Sequence, residues 1–256
     1  MRWSERQRAM LQSMGVRLFG AAPATALAPP PAVAQRPVRP EPVEGPSNAQ
    51  GAQATLPKPA TTRPEIATLD WPALREAVSS CRACALCESR QQTVFGSGHA
   101  RAHWMIVGEA PGEQEDAQGE PFVGESGKLL DNMLHALALT RQDGPPERQV
   151  FIANTLKCRP PKNRNPVPAE TAQCAPFLER QIALVQPRII LAMGRFAAQA
   201  LLNSDEPLGK LRGRVHRYRG VPLVVTYHPA YLLRTLADKA RAWEDLCLAA
   251  RVIQGH

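Results

Sequence analysis

From about Ile66 onward the chain alternates between short, wholly apolar runs and longer amphipathic ones. Four apolar runs, Trp104 to Val107, Val150 to Asn154, Arg188 to Ala192 and Leu223 to Tyr227, carry no polar alternation. That pattern predicts strands buried on both faces. Between them, apolar positions recur at helical spacing over Gly127 to Leu139, Ala169 to Val185, Arg195 to Leu202 and Asp238 to Ile253, and a further helix follows Asp70. Strands alternating with helices predict an α/β fold with a mainly parallel sheet covered by helices, which binds its ligands at the carboxyl ends of the strands.

Three of those strand ends carry sequence that a plain connection would not need. The first runs into GEAPGEQED (residues 108–116), the second into NTLKCRPPKNRNP (154–166) and the fourth into HPAYLLR (228–234). Glu109 follows a buried strand in a Gly-Pro turn, where a carboxylate suits a general base or a partner for a developing cation; no Gly-Lys-Ser/Thr follows, so this is not a P-loop. Phe122 stands in a glycine-bracketed loop that opens a helix, with Ser126 the expected N-cap and the helix start able to receive a phosphate. Asn154 offers an acceptor and a donor side by side, the pattern of a base edge. His228, fixed by Pro229 at a strand end, can donate to a leaving oxygen. Tyr231, Leu232, Leu233 and Arg234 combine apolar wedges with a cation, the combination that extruding a nucleotide calls for.

Composition separates the remainder of the chain. Of the 25 prolines, eleven fall between Pro23 and Pro64, among Ala, Thr and Gln. Such a segment buries too little surface to offset its entropy, so residues 21–65 are expected to be a disordered tether. Before it, Met10, Leu11, Met14 and Leu18 fit a short amphipathic helix over residues 1–20. The domain proper is expected over residues 66–256. No apolar run approaches the ~20 residues of a membrane span, and the N-terminus lacks a secretory pattern. A cytoplasmic protein without membrane association is expected.

The net charge of +8 belongs largely to the first 64 residues, which hold eight basic side chains against three acidic. Local runs say more: Lys157, Arg159, Lys162 and Arg164, and Lys210, Arg212, Arg214, Arg217 and Arg219. Each is either a solvated face or a phosphate-binding one. In a reducing compartment the six cysteines are ligands or free thiols rather than disulfides. Cys81, Cys84 and Cys87 form CxxCxxC, and Cys158 and Cys174 lie sixteen apart. Four cysteines in two separated pairs fit zinc or a cubane iron–sulfur cluster equally well, and spacing does not choose. Cys247, on an apolar helix face, reads as a buried free thiol.

Taken in order, CxxCxLxxxR (Cys81, Cys84, Leu86, Arg90), VFGSG, GEAPGEQED, PFVGESGKLLD, NTLKCRPPKNRNP, Cys174, ILAMG, LRG and HPAYLLR resemble the iron–sulfur uracil-DNA glycosylases, family 4 of that superfamily, from about Cys81 to Trp243. The resemblance implies a three-layer α/β/α sandwich around a central four-stranded sheet, and a 4Fe-4S cluster held by Cys81, Cys84, Cys158 and Cys174. It implies a monofunctional, monomeric hydrolase that frees uracil from single- or double-stranded DNA. Phe122 would stack on the flipped base and Asn154 would read its edge, with Ala110, Glu115 and Asn163 also at the base site. His228 and Glu109 would be catalytic. Arg159, Lys162 and Arg164 are expected to meet DNA phosphates beside the cluster, with Ser126, Tyr231, Leu232 and Arg234 as further DNA contacts. Ala230 stands where many relatives have Ser. The chain lacks the basic insertion ending Arg-Arg-Ile-His with which a divergent branch traps uracil DNA covalently, so turnover is expected. In such an enzyme the N-terminal helix over residues 1–20 is expected to dock on a replication or repair protein.

Overall fold

Six strands form the sheet: β1 (Ser97–Gly98), β2 (Trp104–Gly108), β3 (Val150–Asn154), β4 (Ile189–Met193), β5 (Val215–Tyr218) and β6 (Val221–Thr226). The computed structural model describes residues 64–255. The expected N-terminal helix, and the tether up to residue 63, lie outside the described residues.

β2, β3 and β4 are buried at every position, as is β6 over its last four. These are the four expected strands, and neighbours among them pair in parallel, Ile106 lying opposite both Ile152 and Leu191, and Leu191 opposite Val224. The four-stranded expectation is corrected to six, in the order β1-β3-β2-β4-β6-β5, with β1 and β5 antiparallel at the edges. Both escaped the apolar pattern for a physical reason. β1 is two residues long, and β5, Val-His-Arg-Tyr, has no buried position because it covers an edge.

Nine α-helices are described, with ranges α1 Trp71–Ser79, α2 Leu86–Ser89, α3 Glu113–Gln118, α4 Glu125–Ala136, α5 Pro168–Val185, α6 Arg195–Leu202, α7 Leu208–Leu211, α8 Pro229–Arg234 and α9 Lys239–Ile253. The pleat sends alternate residues of β2 to opposite faces. Met105 and Val107 join Leu74 and Val78 of α1, Phe177 and Ile182 of α5 and Ala198 of α6. Ile106 joins Leu130 and Met133 of α4, Leu232 of α8, and Trp243 and Leu246 of α9. Helices therefore cover both faces of the sheet. Asp70 caps α1, its carboxylate accepting the Ala73 N–H at 3.0 Å. The N-cap of α4 is Gly124 rather than Ser126, which sits inside the first turn.

After β2 the chain adds β3 on one side of it and then β4 on the other. At such a reversal the connections leave in opposite directions and open a crevice at the strand ends. The site lies there.

Candidate active site

A cavity of about 690 Å³ opens at the carboxyl ends of β2, β3, β4 and β6. Glu109, Phe122, Asn154 and His228 all line it, together with Ala110, Glu115, Ser126, Asn163, Arg164, Tyr231 and Arg234. Of the expected uracil-site and catalytic residues, none lies away from it.

The floor is built by glycines. A Cβ on Gly108 would stand 2.3 Å from Asn154 Oδ1 and 2.7 Å from Phe122 Cζ, so only glycine leaves Asn154 and Phe122 room. A Cβ on Gly127 would stand 1.8 Å from the Phe122 carbonyl oxygen, where α4 begins against the loop. Phe122 has a φ of 55°, a conformation unfavourable for a bulky side chain. Arg141 holds it there, Nη1 donating to the carbonyls of Pro121 at 3.1 Å and Phe122 at 3.3 Å. The Phe122 ring stacks on His228 with centroids 5.4 Å apart. Asn154 is buried, and its Oδ1 meets no partner among the described residues. An unsatisfied buried amide oxygen beside a cavity is fitted to a donor on a ligand.

Glu115 is occupied differently. Its Oε2 accepts the Gly112 N–H at 3.1 Å and its Oε1 the N–H groups of Val123 at 3.0 Å and Gly124 at 3.3 Å. It staples the turn after β2 to the Phe122 loop, which motif matching alone did not reveal. Glu109 is anchored through its backbone, its carbonyl accepting the Leu156 N–H at 3.1 Å and also the Thr155 hydroxyl. Burial lifts its carboxyl pKa to about 7 against the opposing pull of Arg195. Burial depresses His228 to about 4, with Glu115 acting the other way and Arg234 adding to the depression. Its ring is therefore neutral at pH 7. The Ala230 N–H donates to Nδ1 at 3.2 Å, which leaves the ring proton on Nε2 as a donor.

One expected DNA contact needs correction, and others already have partners within the chain. Leu232 is fully buried in the core, so it is no wedge; its neighbours Leu233 and Leu236 are the exposed ones, at 41% and 62%. The helical turn explains this, since Leu232 points at the α4 side while Leu233 points away. Lys157 is buried, its ammonium donating to the Asn154 carbonyl at 2.8 Å and Gln181 Oε1 at 2.7 Å. Arg159 reaches Asn163 Oδ1 at 2.7 Å and Glu113 at 3.4 Å, and Arg164 pairs with Glu170. Lys162 is exposed. Four of the five cations of the second basic run are spent on intramolecular partners: Arg212 on Asp245, Arg214 on Glu206, Arg217 on the Gly220 carbonyl and Arg219 on Glu179. Tyr231 donates to Asp238 Oδ2 at 2.6 Å.

Cys81, Cys84, Cys87, Cys158 and Cys174 line one small pocket between α1, α2 and α5. Arg90 Nη1 donates to Cys158 Sγ at 3.0 Å, and the Lys157 N–H to Cys174 Sγ at 3.4 Å. Burial raises the thiols of Cys84 and Cys158, and Cys174 to about 12. Among the described residues, no three His, Cys, Asp or Glu side chains form a set ready to hold one metal ion. An all-thiol donor set, with Cys158 and Cys174 buried and already receiving N–H donors, fits an iron–sulfur cluster, which takes thiolates and spans more space than a single ion. Cys247 is half-buried against the α9 core.

The family model of the uracil DNA glycosylase superfamily matches residues 95–247. A type-4 uracil-DNA glycosylase of Archaeoglobus fulgidus is 41% identical over 164 residues, 61% of this chain and 79% of that protein. One of Pyrobaculum aerophilum is 40% identical over 188 residues, 70% of this chain and 93% of its own. A type-5 uracil-DNA glycosylase of the same organism is 33% identical over 146 residues, 53% and 64% respectively. With its strand-end motifs gathered around one cavity and its family model spanning most of the described fold, the chain belongs to the uracil DNA glycosylase superfamily.

Proposed function

We propose that this protein hydrolyses the bond between uracil and deoxyribose in DNA and leaves an abasic site. The observation that carries the reading is the pairing, across one cavity, of a neutral His228 with its donor on Nε2 and a carboxyl, Glu109, poised to ionise near pH 7. Breaking an N-glycosidic bond leaves a cation on the sugar and an anion on the base, so a carboxylate is needed near one and a donor near the other. Uracil, turned out of the strand, stacks on Phe122 while the Asn154 amide pairs with its edge. As the bond from C1′ to N1 lengthens, His228 Nε2–H donates to the oxygen that gains charge. Glu109, ionised, stabilises the sugar cation and takes a proton from the water that adds to C1′. The base leaves with the bonding pair and is protonated by solvent. A His that stays neutral loses no proton to the base, and its value is electrostatic.

Cys81, Cys84, Cys158 and Cys174 would hold a 4Fe-4S cluster, with Cys87 a fifth thiol at the same pocket. When bound, the cluster supplies a cross-link between the α1–α2 segment, the loop after β3 and α5. Lys162, exposed on that loop, then meets phosphates, alongside Ser126 and Arg234.

The test is release of uracil from uracil-containing oligonucleotides, read as alkali-labile scission. Cluster-replete protein is expected to cleave, and H228A to lose about a hundredfold or more, as for removal of one oxyanion donor. No scission of either single- or double-stranded substrate by the cluster-replete protein overturns the proposal.

A further inference from the structure

One strand end had no chemistry assigned to it by sequence: β4, which runs through Gly194 into α6. Its first helical residues, Arg195 and Phe196, line the cavity, with Leu208 of α7 beside them and Tyr227, Tyr231 and Arg234 completing the lining from the β6–α8 segment. None of the six grips the base in the reading above. A cavity of 690 Å³ has the capacity of a pocket for a drug-sized ligand, and one pyrimidine fills only part of it.

This second group has the makings of a stacking platform with charge. The Arg195 guanidinium lies over the Phe196 ring, 4.6 Å from its centroid. The Tyr227 and Tyr231 rings stack at 5.2 Å, tilted by 17°. Most nearby arginines are neutralised: Arg159, Arg164, Arg212, Arg214 and Arg241 all close ion pairs. Arg195 and Arg234 are exposed, and among the described residues neither closes one. They sit near the reacting groups, since Arg195 acts on Glu109 and Arg234 on His228. Aromatic faces beside unspent cations are what a single strand needs, a face for each base and a charge for each phosphate.

We propose that this lobe is a subsite for the nucleotide adjoining the extruded uracil on the same strand. The neighbouring base stacks on the Arg195–Phe196 pair, and the phosphates on either side of the uracil meet Arg195 and Arg234. The proposal rests on the uracil-release reading and adds a substrate requirement to it. Turning one nucleotide out carries its two phosphates to the cavity mouth. A seat for the next base holds the strand in that bent state without help from a complementary strand.

The experiment uses full-length, cluster-replete protein and three single-stranded oligonucleotides. One carries an internal uracil; the others replace its 5′ or its 3′ neighbour by a stable tetrahydrofuran residue, which keeps the phosphates and deletes the base. Wild-type protein is expected to lose about tenfold in kcat/KM when one of the two neighbours lacks its base, as for one stacked base. F196A is expected to lose about as much on the intact strand and to show no further penalty on the deleted one. F196L, which keeps volume but not the ring, behaves like F196A if stacking is the cause and like wild type if only packing is at stake. R195Q lowers the salt slope of binding by about one. Equal rates of the wild type on all three strands, or a full deletion penalty persisting in F196A, overturn the subsite while leaving the glycosylase reading intact. Should no strand release uracil, the glycosylase reading falls. Anisotropy binding of the same strands then decides the subsite by itself, equal affinities overturning it.

Discussion

Glu109 and His228 share a cavity, and burial moves both away from charge in opposite senses. The carboxyl is held protonated up to about pH 7 and the imidazole is held neutral down to about pH 4. The acid limb of the pH–rate profile is therefore assigned to Glu109. Activity is expected to rise as pH passes through about 7, and His228 takes no part in that rise, because it is already neutral there. In E109Q the residual rate should be flat between pH 5 and 8; a limb that survives the substitution reassigns it to another group. Linkage gives a second reading of the same carboxyl. Its pKa is raised on folding, so the folded state is disfavoured once the unfolded chain ionises, and stability falls as pH rises from about 4.5 to about 7. E109Q should flatten that part of the Tm–pH curve. His228 has the opposite sign: depressed on folding, its contribution is complete above about 6.5 and is lost as pH falls toward 4.

At the scale of elements, the strand ends supply the site and the edges supply its support. Arg212 lies between α7 and β5 and donates Nε to Asp245 Oδ2 at 3.0 Å and Nη2 to the Arg241 carbonyl, while the Gly213 N–H reaches Asp245 Oδ1 at 3.1 Å. Asp245 is wholly buried in α9, and burial lifts its carboxyl to about 6 in spite of the arginine. Removing the guanidinium strands that carboxyl, so R212A is expected to cost about 3 kcal/mol in denaturant unfolding. R214A breaks a pair exposed on both sides and should cost less than about 1 kcal/mol. Similar losses for the two would mean that Asp245 finds another partner. This pair also shows what the sequence could convey. The four central strands, the α1, α5, α6 and α9 helices and the strand-end motifs were legible because burial on both faces writes an unbroken apolar run, and because unusual residues at a strand end have few structural excuses. The basic run from Lys210 to Arg219 was not legible, since a sequence shows charges but not the acids that meet them. Leu232 and Lys157 were misplaced for a related reason. Which side of a one-turn helix is buried, and whether a lysine folds back under its own loop, depends on what packs above it. Arg195 and Phe196 had no local signal, as a Gly-Arg-Phe helix start is ordinary until Glu109 and Tyr231 are brought beside it.

Across the whole molecule, the cysteine pocket and the strand-end cavity are joined by one short, buried network. Lys157 stands between Cys158 and Asn154, the residue proposed to read the base: its backbone N–H meets Cys174 Sγ, its carbonyl accepts the Val94 N–H at 2.8 Å, and its ammonium binds the Asn154 carbonyl and Gln181. Gln181 in turn donates to the Phe95 carbonyl at 2.8 Å. Every link is a polar group buried with its partner, so the network holds only while the segments that carry it stay together. Those segments are the α1–α2 stretch, the loop after β3 and α5, and they also pack on the sheet, Leu74, Val78, Leu156, Phe177 and Ile182 sharing one core with Met105, Val107 and Phe151. Loss of the cluster is therefore expected to act locally. Hydrogen exchange in protein whose cluster has been oxidised away should quicken over residues 81–95 and 155–165, while β4 and β6, buried on both faces, keep their protection. Uracil-strand affinity should fall in step, because the Asn154 carbonyl loses the lysine that fixes it. If exchange instead rises evenly across the sheet, the cluster supports the whole fold; if it changes nowhere beyond residues 81–90, the network through Lys157 does not transmit its loss to the base site.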